Sequence, residues 1–66
     1  MNAFMNFIAT ECFRKGITQA KLAAMADLTE ASVCRYFKGE REPRLTNMNK
    51  MLNALGYELM IIEKEK

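Results

Sequence analysis

Residues 16–39 read GITQAKLAAMADLTEASVCRYFKG, and this stretch decides the architecture. Thr18 suits a helix N-cap, because a hydroxyl there accepts from a backbone N–H of the first turn. From Gln19 to Ala26 the chain is Ala-rich, with Leu22, Ala23 and Ala26 recurring on one side at helical spacing. Asp27, Leu28 and Thr29 break the pattern, and Thr29 caps a second helix from Glu30 to Lys38 that ends at Gly39. Its inward side is Val33, Tyr36 and Phe37. Three residues are too few to lay two helices antiparallel. The second helix therefore turns sharply away and projects its outer face, with the small Ala23 where the two helices cross.

Working outward toward the N-terminus, residues 3–15 place Phe4, Met5, Ile8, Ala9 and Cys12 on one face of another helix. Arg14 and Lys15 suit its C-terminal end, and Gly16 supplies the left-handed residue that closes it. Working the other way, residues 40–44 form a polar loop in which Pro43 forbids extension of the preceding helix. Leu45, Met48, Met51, Leu52 and Leu55 then mark the buried stripe of a fourth helix, with Asn47, Asn49, Lys50 and Asn53 opposite and Gly56 ending it. The six methionines read as core. From Tyr57 to Glu63 the period changes to two: Tyr57, Leu59 and Ile61 alternate with Glu58, Met60 and Ile62, which suits a strand. A lone strand leaves its backbone unpaired, and the rest of the sequence holds no second one. The same strand from a second copy, antiparallel about a two-fold axis, solves this; the alternative is an extended tail lying on the helices.

The 66 residues fit one domain spanning residues 1–66, with 57–63 as its dimerisation strand. Half the residues are hydrophobic, which excludes a disordered chain. No stretch approaches the roughly 20 apolar residues that cross a bilayer, and no secretion signal is recognisable, so a membrane partner is not expected. Enzyme chemistry is equally unsupported. There is no His to act as a base near neutral pH, no phosphate-binding loop, and Cys12 and Cys34 are too few for a zinc site. Neither catalytic residue, metal nor cofactor is expected. The two cysteines read as small apolar fillers in a reducing cytoplasm.

Gly16, Ile17, Thr18, Gln19, Leu22 and Ala23, then Val33, Tyr36, Phe37, Gly39, Arg41, Pro43 and Leu45, then Ala54, Leu55 and Gly56, together resemble the lambda-repressor-like, Cro-type (XRE) helix-turn-helix family. The resemblance implies a mainly α, four-helix DNA-binding domain, here followed by the C-terminal β-strand. Two positions depart from it. Asp27 stands where the family usually has Gly, and Arg44 where a Ser often caps the fourth helix; that helix either starts weakly or shifts its cap to Thr46.

The resemblance also implies roles. The helix from Gln19 lies across the phosphate backbone, and the helix from Glu30 enters the major groove of double-stranded DNA. Thr29, Glu30, Ala31 and Arg35 would read bases: Arg35 two acceptors of guanine, Glu30 the cytosine amine, Ala31 a thymine methyl. Glu30 also suits a helix N-terminus on charge alone, and Arg35 also suits a phosphate. Gln19, Lys38, Arg41 and Arg44 would contact the backbone. Between Arg14 and Lys50 there are eight basic and four acidic residues, so the positive excess falls on this part of a chain whose net charge is only +2.

Two functions share these features. One is a dimeric transcriptional repressor of the small phage-regulator type, cytoplasmic and nucleoid-associated, on a palindromic operator. The other is an antitoxin that binds a toxin protein and its own promoter. Tyr57, Leu59, Met60, Ile61 and Ile62 carry the homodimer in either case. A module that kept the fold but lost DNA binding is disfavoured by Gln19, Arg35 and the basic loop.

Overall fold

The computed structural model describes residues 2–60, 62 and 63. Four helices follow one another: α1 (Ala3–Lys15), α2 (Gln19–Ala26), α3 (Glu30–Lys38) and α4 (Leu45–Ala54). Three begin on side-chain caps. Asn2 accepts from Met5 N at 2.8 Å, Thr18 from Lys21 N at 3.1 Å, and Thr29 from Ser32 N at 3.1 Å. Each such cap occupies a donor that the first turn leaves unpaired. α4 starts directly after Arg44, which makes no side-chain cap bond, so its N-terminus is weakly capped rather than moved to Thr46.

All four helices stop in the same way. Ile17 N bonds Cys12 O, Leu28 N bonds Ala23 O, Glu40 N bonds Arg35 O and Tyr57 N bonds Leu52 O, all at 2.8–3.0 Å. The residue before each of these donors has positive φ: Gly16, Asp27, Gly39 and Gly56. This is the Schellman motif, in which a left-handed residue folds the chain back onto the last carbonyls. Three sites use Gly. Asp27 is the exception, at φ 58°, ψ 45°.

The core gathers Met5, Ile8 and Cys12 of α1, Leu22, Ala23 and Ala26 of α2, Val33 and Tyr36 of α3, and Met51, Leu52 and Leu55 at the end of α4. α2 packs against both α3 and α4, and α1 leans on α3. The buried Tyr36 keeps its hydroxyl satisfied, accepting from Asn47 Nδ2 at 2.9 Å. That bond ties α3 to α4 across the loop, whose Pro43 is also buried.

Several expectations need correction. Leu45 is half exposed instead of lying in the buried stripe, and Phe37 is only partly covered. Met5 and Met51 are core, but Met25 and Met60 are exposed. Among the described residues there is no strand. Residues 57–60 are neither helix nor ladder, and Tyr57 and Leu59 pack on the chain's own core, while Met60 and Ile62 are 72% and 78% exposed. A single chain offers no partner for the backbone of this segment. Its side chains still alternate between half-buried and exposed with a period of two, as on an extended chain. Ile61, assigned above to dimerisation, lies outside the described residues, as do residues 64–66.

Candidate nucleic-acid interface

α3 is amphipathic because its sequence separates cleanly at 100° per residue. Val33 and Tyr36 are buried and Phe37 half-buried on one side. Glu30, Ala31, Arg35 and Lys38 are all exposed on the other, with Cys34 half-buried among them. Arg35 therefore stands one turn after Ala31 and projects from the body. Among the described residues neither Arg35 nor Lys38 is in an ion pair.

The Thr29 side chain is already committed. Its oxygen accepts from Ser32 N, and its O–H donates to Ser32 Oγ at 2.8 Å. The hydroxyl is a helix cap first, which leaves the methyl as the part free for an outside contact. Glu30 lies in the first turn of α3, where a carboxylate also favours the helix dipole.

At the start of α2, Thr18 satisfies two N–H groups, those of Lys21 and Leu22. Among the described residues, the N–H groups of Gln19 and Ala20 have no acceptor. They point along the helix axis with the positive end of its dipole, next to the exposed Gln19 side chain. The α3–α4 loop adds exposed Arg41 and Arg44, interleaved with exposed Glu40 and Glu42 and held from beneath by Pro43.

Two of the basic residues counted from the sequence do not serve this surface. Arg14 bonds Glu11 through Nη2 to Oε1 at 2.7 Å and Nε to Oε2 at 3.2 Å. Lys15 donates to Leu55 O at 3.2 Å and stands 5.6 Å from the Tyr57 ring centre. Without them, six basic residues face four acidic ones between Arg14 and Lys50, a smaller surplus than the linear count suggests.

The buried Glu11 was not singled out by the sequence reading. It receives the Arg14 guanidinium and the Tyr57 hydroxyl, and together they hold its carboxyl at a pKa of about 2. Tyr57 is correspondingly pushed up by Glu11, and Arg14 is raised by the same carboxylate. Burial pushes the Cys12 thiol up as well, which fits an inert filler. The Glu11–Arg14 spacing of three was visible on the first helix. The third member, Tyr57, is 46 residues away and gave no local signal.

Two helices meeting across a three-residue turn, the second turned outward and followed by a basic loop, define a helix-turn-helix domain. A family model described as helix-turn-helix matches residues 13–62, from the last turn of α1 to beyond α4. The chain belongs to that family, the lambda-repressor-like, Cro-type (XRE) group of DNA-binding transcription regulators. No curated protein and no solved structure matches it in the other two comparisons. No helix among the described residues is long and apolar enough to cross a membrane.

Proposed function

We propose that the chain is a sequence-specific transcriptional repressor that binds a palindromic operator as a homodimer, with α3 of each copy in the major groove. The observation that carries this reading is the exposed side of α3, with Glu30, Ala31, Arg35 and Lys38 around the half-buried Cys34, opposite the buried Val33 and Tyr36. In this reading Arg35 gives two parallel donors to guanine O6 and N7. Glu30 accepts from a cytosine amine, Ala31 meets a thymine methyl, and Thr29 adds its methyl at the edge. Gln19, with the free N–H groups of α2, takes a phosphate, and Lys38, Arg41 and Arg44 follow the backbone.

Self-association is supported by the outward Met60 and Ile62, which a monomer leaves in water. The exposed residues of α4, Leu45, Thr46, Asn49 and Asn53, carry no charge, in keeping with the depletion of charge at the centre of protein interfaces. Leu45, Thr46, Asn49 and Leu59 also line a shallow groove there.

Selection of bound duplexes from a random pool at a stated salt concentration tests the reading. A recovered palindrome supports it, and an unenriched pool ends it. On the recovered site, Arg35→Ala is expected to cost about 1–3 kcal/mol and to relax preference at one base pair per half-site. If random DNA is lost by the same factor, Arg35 contacts only phosphate, and specificity comes from Glu30, Ala31 or DNA shape.

A further inference from the structure

The chain leaving α4 is tied to α1 more firmly than the closure of that helix needs. α4 is already closed by Gly56 and by Tyr57 N bonding Leu52 O at 2.8 Å. The Tyr57 ring is already seated, edge-on to Phe7 at 5.4 Å and 66° and beneath the Lys15 ammonium. Phenylalanine would fill that seat equally well. What the hydroxyl adds is a bond to Glu11 Oε1, and Glu11 is itself fixed by two N–H groups of Arg14. Glu11 is the one buried charged residue among those described, and no buried side-chain polar atom among them lacks a partner. This charged anchor lies outside the residues proposed above to contact DNA. It acts on the segment that follows, where Leu59 turns inward and Met60 and Ile62 turn outward.

We propose that Tyr57 is a positioning residue for the dimer: pinned on Glu11, it sets the path of the chain after α4, and so the spacing of the two half-sites that a pair of these domains accepts. The proposal rests on the homodimer reading above. Its physical basis is stiffness. Changing the half-site spacing by one base pair moves one half-site by roughly 3.4 Å and rotates it by roughly 35°. Copies joined through loosely held segments absorb that change, whereas copies joined through pinned segments do not.

The test measures affinity on a series of operators whose half-sites are separated in steps of one base pair. It uses the wild-type chain, Tyr57→Phe, and the double variant Glu11→Leu/Tyr57→Phe. The double variant replaces both partners by apolar groups and leaves no orphaned carboxylate, so it keeps the test open if the single change disturbs folding. Circular dichroism checks helix content, and sedimentation checks the dimer. The wild type is expected to lose about tenfold in affinity one base pair from its best spacing, and the variants less than about threefold, with helix content and single half-site affinity unchanged. Superimposable spacing profiles for wild type and variants overturn the pin. A wild-type chain that is monomeric on DNA, or binds no operator, fails earlier and for a different reason: it refutes the dimeric-regulator reading itself.

Discussion

Replacing Asp27 by Gly should stabilise this domain, and the size of the effect follows from the turn. Asp27 sits at φ 58°, ψ 45°, the left-handed region, at the end of α2. For an L-residue that conformation costs roughly 1–2 kcal/mol, and for Asp the cost lies at the lower end because its short side chain bonds locally when it can. Here the Asp27 side chain makes no hydrogen bond among the described residues, so the backbone strain stands uncompensated. Its carboxylate also faces the negative end of the α2 dipole, which adds about 0.3–1 kcal/mol. Gly removes both terms but returns roughly 0.4–1 kcal/mol through the greater freedom of the unfolded chain. The net expectation is a gain of about 1 kcal/mol, which in a domain of this size raises the melting temperature by about 4–8 °C. Thermal melts of the wild type and three variants separate the contributions. Asp27→Asn keeps the tolerance for positive φ and removes only the charge, so it should gain less than Gly. Asp27→Ala likewise keeps the backbone strain and removes only the charge, so it too should gain less than Gly. Asp27→Gly melting at or below the wild type, or Asp27→Ala melting at or above Asp27→Gly, refutes the reasoning.

Electrostatics supplies the next two expectations. If about three cationic contacts per subunit form, the log–log dependence of operator affinity on salt should have a slope of about −5. Arg44→Ala should flatten that slope by about one unit for each phosphate it no longer neutralises, while weakening all sequences alike. Titration of affinity from low to high salt measures it, and a slope near zero removes backbone binding. Stability should fall in acid, because Glu11 is held at a pKa of about 2 against an ordinary 4.5. A depressed carboxylate contributes fully above its unfolded value and loses that contribution as the pH drops from about 4.5 toward 2. Melts between pH 7 and 2 should therefore show the gap between wild type and Glu11→Gln closing in that window, and a gap constant with pH would contradict it.

Some elements were legible because their signals are local. Thr18 and Thr29 cap within three residues of themselves, and Gly16 and Gly39 close helices within five, so the bounds of α1, α2 and α3 follow from neighbours in the chain. The outward side of α3 was legible for the same reason, since helical spacing alone separates Val33 and Tyr36 from Ala31 and Arg35. Leu45 shows where that logic stops. It lies one heptad before Leu52, within about 20° of it around the helix. Yet Leu45 is 53% exposed and Leu52 7%. A helical wheel gives direction around an axis and says nothing of how far along it the neighbouring helices reach.

The sequence by itself determined the order of four helices, the sharp α2–α3 turn and the family, because caps, breakers and hydrophobic period act over a few residues. Only the tertiary structure decided which charges remain for DNA and where the chain goes after α4. Lys15 reads as a free surface cation until Leu55 and Tyr57 are brought beside it, and residues 57–60 stand between a paired strand and an extended tail until the core of the same chain is seen to take Tyr57 and Leu59. Such contacts join positions about 40 residues apart. Their energies depend on burial and on partners that exist only once the helices have packed.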